Sequence, residues 1–260
     1  MELRLAGKVA LVTGSSRGIG RGIAETLAAE GCDVMLTGRD EAALKDVAAQ
    51  IAKLGRKATY STMDLTGAKA PAALVAGVKR DFGRLDILVN NAGATKRGDF
   101  RELTDADWQD GFELKFFAHV RLAREAWPLL VASKGSLITV AGVGGKQPEA
   151  EFGIGSSVNA ACLAWTKALA EVGKKEGVQV NAVNPGRVET DRLRRGIRAR
   201  MKESGESEEK VRAEFQKELN ITRFGVVDDI AGLIAFMASP LGRWLQGSII
   251  DMDGGEIRGV

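Results

Sequence analysis

The chain has 260 residues, 45% hydrophobic and 27% charged, with a formal net charge of +3. That composition suits one soluble α/β domain with a large core, and the charge is too small to argue for a nucleic-acid partner. No apolar run approaches the roughly 20 residues of a membrane span, residues 1–8 carry charges where a secretory signal needs an apolar core, and Cys32 and Cys162 match no metal or redox spacing. A cytoplasmic protein with free thiols, no metal and no membrane attachment is expected.

A strand is expected at 9–13 and a helix at 19–29, then strands at 33–37 and 58–63 around a helix at 41–54. A helix at 70–82 leads to a strand at 87–90, and a long helix at 105–130 leads to a strand at 136–141. A helix at 156–173, a strand at 179–183, a helix at 228–238 and a strand at 248–252 complete the pattern. Strands alternating with helices of this length imply right-handed crossovers. The expected fold is therefore α/β, a doubly wound parallel sheet of seven strands with helices on both faces. No linker or repeat divides residues 1–260, which read as a single domain. Residues 187–223 stand apart, being polar, charge-dense and strand-free, and are expected to form one or two surface helices.

The first strand, V-A-L-V-T, runs directly into Gly14-Ser15-Ser16-Arg17-Gly18-Ile19-Gly20, and a helical pattern follows. Glycines in that setting let the backbone turn tightly and approach a pyrophosphate, which rests on the N–H groups and positive end of the helix. The spacing is T-G-x-x-x-G-x-G. Together with N-N-A-G at 90–93, N-P-G-R-V-E-T at 184–190 and the closing D-M-D-G-G at 251–255, it resembles the short-chain dehydrogenase/reductase family over nearly the whole chain. The resemblance implies a Rossmann-type sheet, a nicotinamide cofactor across the carboxyl ends of the strands, and frequent homotetramers. It also implies that Asp64 and Leu65 flank the adenine and that Asn90, Ala92 and Gly93 line the ribose side. Pro185, Gly186, Val188 and Thr190 would border the nicotinamide.

The position that decides between the two coenzymes is the end of the second strand, where an acidic residue would accept from a ribose 2′-hydroxyl. Gly38 stands there, followed by Arg39, with Arg17 in the glycine-rich loop. Two guanidinium groups suit a 2′-phosphate, so NADP(H) is favoured over NAD(H).

The catalytic residues implied by the resemblance are a tyrosine, a lysine four residues later on the same helix face, a serine and an asparagine. Alignment puts Gly155 at the tyrosine, Asn159 at the lysine, Gly142 at the serine and Lys115 at the asparagine. Tyr60, the one tyrosine, lies in the third strand. Lys115 is the candidate catalytic residue. It shares with His119 the otherwise apolar stripe Trp108, Phe112, Lys115, His119, Leu122 and Ala126, where partial desolvation would lower its pKa and suit it to proton transfer or to holding the ribose. A lysine that snorkels to solvent or pairs across a subunit contact is the alternative. Ser156 and Ser157 read as helix caps, and Lys146, Glu149 and Glu151 as solvated loop charges.

In the family this resembles, the charged segment folds over the substrate. Its arginines would either receive a carboxylate, phosphate or acyl thioester or pair with the glutamates that follow. The expected activity is an NADP(H)-dependent short-chain oxidoreductase, reducing a carbonyl or oxidising an alcohol, with an atypical active site. The alternatives are a cofactor-binding sensor or partner protein without turnover, and non-redox chemistry in the same pocket.

Overall fold

The structure is a computed structural model that describes residues 2–259. The strands are β1 (Val9–Thr13), β2 (Asp33–Gly38), β3 (Ala58–Thr62), β4 (Ile87–Asn90), β5 (Ser136–Val140), β6 (Gln179–Pro185) and β7 (Ile249–Met252). All pair in parallel, in the order β3-β2-β1-β4-β5-β6-β7. This is the expected Rossmann-type sheet. Its central strands are buried throughout, as parallel strands covered on both faces must be, and only the edge strands β3 and β7 are half-exposed.

One face is covered by α1 (Gly18–Ala29), α2 (Glu41–Lys53) and α9 (Val227–Ala238), which contribute Ile23, Leu27, Leu44, Ile51, Ile230 and Ile234 to one core. The other is covered by α3 (Ala70–Phe82) and α5 (Ala118–Ser133), through Leu74, Val78, Leu122 and Leu130. After β3 the chain crosses to the far side of β1 to lay down β4. That reversal opens a crevice at the carboxyl ends of β1 and β4, where such sheets take their ligands.

Three local differences from the sequence expectation bear on the site. The expected long helix at 105–130 is α4 (Asp105–Phe112), a π turn at Glu113–Phe117, and α5. A capping box between Thr104 and Asp107 starts it. The π turn inserts extra backbone where Lys115 sits, a distortion that apolar periodicity does not register. Helix α6 (Gly153–Glu176) begins three residues before the expected start, so Ser156 and Ser157 lie in its body and cap nothing. The charged segment forms two helices, α7 (Asp191–Ser204) and α8 (Glu208–Leu219), each anchored by one buried aliphatic residue, Ile197 and Val211. A single bridge, Val188 to Gly225, closes the base of this excursion. Among the described residues no helix is long and apolar enough to cross a membrane.

Candidate active site

The glycine-rich loop is shaped by side chains it lacks. Gly14 and Gly18 adopt φ of +66° and +57°, a region that other residues enter at a cost. A Cβ on Gly14 would stand 3.0 Å from the Ala92 Cα, and one on Gly20 would overlap the Gly14 carbonyl. Ser15 bolts the loop to β2: its hydroxyl donates to the Thr37 carbonyl at 3.3 Å and accepts from the Thr37 N–H at 3.0 Å. The tips of β1 and β4 are locked by Thr13, whose hydroxyl accepts from the Asn91 and Ala92 N–H groups at 2.8 and 2.9 Å. Ser16, Arg17 and Ile19 complete the loop, with Arg17 exposed at the helix start. The result is a bare backbone surface on the positive end of α1, which fits a dinucleotide diphosphate.

At the tip of β2, a Cβ on Gly38 would lie 3.3 Å from the Ser16 hydroxyl, so an acidic side chain would crowd the loop. Arg39 is exposed beside it. Asp64 faces the same corner. Its carboxylate accepts from the Thr66 N–H and hydroxyl at 3.0 and 2.9 Å, and those bonds, with help from the Arg39 charge, hold its pKa below the usual value. Leu65 is buried in the core.

Asn90 is fully buried, and its side-chain oxygen has no partner. Pro185, the last residue of β6, and Val188 beyond it are buried as well. Gly186 leaves room for Asp253, whose Cα would be 2.8 Å from a Cβ there. Thr190 reaches across to the glycine-rich loop, 3.6 Å from where a Cβ on Gly18 would stand. The four cofactor segments named from the sequence therefore converge on one crevice.

Lys115 also points into it. Its ammonium donates to the Ala141 carbonyl at the end of β5, at 2.9 Å. Its stem passes over Gly93, where a Cβ would stand 2.8 Å from Cδ, so the glycine is what admits the lysine. Burial lowers the Lys115 pKa to about 8, and the nearby Arg192 charge acts in the same direction. His119 is buried with its ring Nε2–H donating to the Ala92 carbonyl at 2.8 Å, and burial drives its pKa down to about 4, so it is neutral at pH 7. It braces the β4 loop and does not face the crevice as an acid.

The corner between β5 and α6 is closed. A Cβ on Gly155 would overlap the ring of Phe152, which also lies 3.0 Å from where a Cβ on Gly144 would stand. Asn159 and Ser156 are buried with unpartnered side-chain oxygens, and a Cβ on Gly142 would stand 3.2 Å from the Asn159 amide nitrogen. Sequence reasoning missed Phe152. The one available signal was an aromatic residue three positions before a glycine in a helix, where side chains share a face.

Charges gather at the mouth. Arg97 stacks on Phe152, 4.3 Å from the ring centroid, and donates twice to Glu149 at 3.0 Å. Arg187 holds the other oxygen of Glu149 at 2.6 Å, so Glu149 is a bridge and not the solvated charge expected. Lys146 likewise pairs with Asp251 at 2.6 Å. Arg192 donates to the Gly93 carbonyl at 3.3 Å. On α7 and α8, Arg200 pairs with Glu214 and Glu218, and Arg212 with Glu189 and Glu208. These arginines serve the hairpin itself. Among the described residues Arg17, Arg192 and Arg195 form no ion pair.

The sequence matches the family model for short chain dehydrogenase over residues 8–201. It is 31% identical to a 3-oxoacyl-[acyl-carrier-protein] reductase of Aquifex aeolicus, across 98% of this chain and 99% of that protein. It is 29% identical to a gluconate 5-dehydrogenase of Gluconobacter oxydans, across 96% and 95%. The structure of L-sorbose reductase from Gluconobacter frateurii, in complex with NADPH and L-sorbose, superposes with a TM-score of 0.96 and 32% identity, covering 100% of both chains. The chain belongs to the short-chain dehydrogenase family.

Proposed function

We propose that this protein is an NADP(H)-dependent oxidoreductase interconverting a carbonyl and a hydroxyl group, with Lys115 replacing the family's usual acid. In this reading the tyrosine, lysine and serine positions are vacated as Gly155, Asn159 and Gly142, and the asparagine position is Lys115. Gly14 to Gly20 would cradle the diphosphate, with Arg17 and Arg39 on the 2′-phosphate and Asp64 and Leu65 beside the adenine. Asn90, Ala92 and Gly93 would line the ribose, and Pro185, Gly186, Val188 and Thr190 the nicotinamide. The NADPH in the sorbose reductase complex supports the coenzyme choice.

When bound, NADPH supplies a hydride to the carbonyl carbon. The negative charge that develops on oxygen then needs a proton. The observation that carries the proposal is the part-buried Lys115 ammonium, held on the Ala141 carbonyl at the carboxyl end of β5, with its pKa lowered to about 8, close to the operating pH a general acid prefers. Lys115 gives its proton to the oxygen and is reprotonated from solvent, while the Ala141 carbonyl fixes its direction. The α7–α8 hairpin would cover the substrate as a lid on a single domain. The experiment is NADPH oxidation with a panel of ketones, oxo acids and thioesters against pH. Activity in the reductive direction should fall as pH rises through about 8 and drop by about 10²- to 10⁴-fold in Lys115→Met. Unchanged turnover in that variant would remove Lys115 from the mechanism.

One observation favours a second reading, a cofactor-dependent sensor or partner protein without turnover. The Phe152 ring fills the space above Gly155, where a substrate oxygen would need room. Tight NADPH binding with no oxidation by any member of the panel would decide for it.

A further inference from the structure

Arg192 sits between two regions of the mouth. On one side, Thr190, the residue that starts α7, lies against the glycine-rich loop, which carries Arg17. On the other, Arg97 lies on the Phe152 ring at the closed corner. Arg192 itself rests on the Gly93 carbonyl, over which the stem of Lys115 passes. Arg195 is one helical turn further along α7, on the same face as Arg192 by its i+3 spacing. Four guanidinium groups thus surround one mouth, and Glu149, the carboxylate paired with Arg97, is shared with Arg187. Arg192 lies at the surface, and partial desolvation of its guanidinium against the Gly93 loop, followed by the charges of Arg195, Arg97 and Arg17, pushes its pKa down. Like charges held together without counter-ions cost stability, and the compensation for such an arrangement comes from an anionic ligand.

A bound dinucleotide accounts for part of that charge only. Its diphosphate would lie on the helix end, and its 2′-phosphate would take Arg17. Arg97, on the ring of Phe152, is on the substrate side. Glu149 shows what that side accepts, since its carboxylate already takes two N–H bonds from Arg97. We infer that the substrate carries a carboxylate or phosphoryl group, received by Arg97, Arg192 and Arg195 while its carbonyl faces Lys115. The inference rests on the oxidoreductase reading and names its substrate class. It separates this chain from a relative that takes L-sorbose, a neutral sugar. In binding, the anion would compete with Glu149 for Arg97, and Glu149 would keep Arg187. An anion beside Arg192 would also raise the Lys115 pKa above its ligand-free value, since it cancels the charge that helps to lower it.

Calorimetry on the NADPH-saturated protein tests this with two matched pairs, 3-oxohexanoate against its methyl ester and dihydroxyacetone phosphate against dihydroxyacetone. One charged member should bind about tenfold or more tightly than its neutral twin, the scale of a charge-assisted hydrogen bond. The pair that shows the preference identifies carboxylate or phosphate. The preference should shrink as salt is raised and disappear in Arg97→Gln/Arg192→Gln, with NADPH affinity held within about threefold. Arg97→Lys, which retains charge but loses the bidentate fork, should keep part of it. No preference in either pair would overturn the inference, as would a preference that survives the double variant. A loss of NADPH affinity beyond about tenfold in that variant would also overturn it, by assigning the cluster to the coenzyme phosphates. If the protein takes no NADPH at all, the oxidoreductase reading fails. The same pairs titrated against the free chain would then support or overturn the anion site separately.

Discussion

The two ends of the crevice are built on opposite principles. At the β1–α1 crossover the working feature is missing side chains. Gly14, Gly18 and Gly20 leave backbone uncovered, and any Cβ added at Gly14 or Gly20 meets the neighbouring chain within contact distance. At the β5–α6 corner side chains are missing too, at Gly142, Gly144 and Gly155, but a neighbour has moved into the space. Phe152 packs where a side chain at 155 would go, and Asn159 lies against Gly142. Glycine at the first place holds a site open, and glycine at the second accommodates a plug. The same residue type therefore predicts nothing until its surroundings are known.

The largest expected effect divides the two ends by function. Lys115→Met should lower reductive turnover by about 10²- to 10⁴-fold, the usual loss with a general acid, while steady-state fluorescence shows NADPH binding within about threefold of the wild type. The variant should also be more stable at neutral pH. Because the folded Lys115 pKa of about 8 lies below its ordinary 10.5, the unfolded chain binds the extra proton between those values. Wild-type stability then rises with pH across that window. The advantage of Lys115→Met, about 2 kcal/mol after allowance for partial exposure, should fade from pH 8 to 10.5 in denaturant titrations.

Next in size, Gly20→Val should weaken NADPH binding by about a hundredfold or more by pushing the helix end away from the loop. A variant that binds NADPH normally would show that the cradle is not where the coenzyme rests. The closed corner gives a smaller, structural effect. Gly155→Tyr with Asn159→Lys should not restore the family's usual chemistry and should destabilise the protein by about 1–3 kcal/mol through overpacking against Phe152. Adding Phe152→Ala should recover most of that loss in thermal melts, and only then should any gain in turnover appear. The mildest change is Arg39→Ala, which should reduce the preference for NADPH over NADH by about tenfold, one charge-assisted contact. A preference unchanged in that variant would leave Arg17 as the discriminating cation.

Much of the fold was legible because parallel strands buried on both faces must be short apolar runs, as β1, β4 and β5 are, while the half-exposed edge strand β3 was legible from its β-branched and aromatic residues. The two surface helices at 191–219 were legible from charge density, and Arg200, paired with Glu214 and Glu218, follows the expected pairing of these arginines with the glutamates that follow. The π turn at Glu113–Phe117 was not, since one extra residue in a turn leaves the apolar spacing almost unaltered. Ser156 and Ser157 looked like caps because the helix start was placed late, and the three residues that begin α6 include two glycines, poor helix formers by propensity.

The sequence by itself determined the sheet and the crossover that carries the glycine-rich loop. These depend on local spacing: where a strand ends and where a glycine follows. Only the tertiary structure decided that Lys115 reaches the end of β5 over Gly93, that Phe152 closes the corner above Gly155, and that Arg97 and Arg192 share one mouth. Each of these joins residues far apart in the chain, and their meeting depends on how the loops fold back over the strand ends.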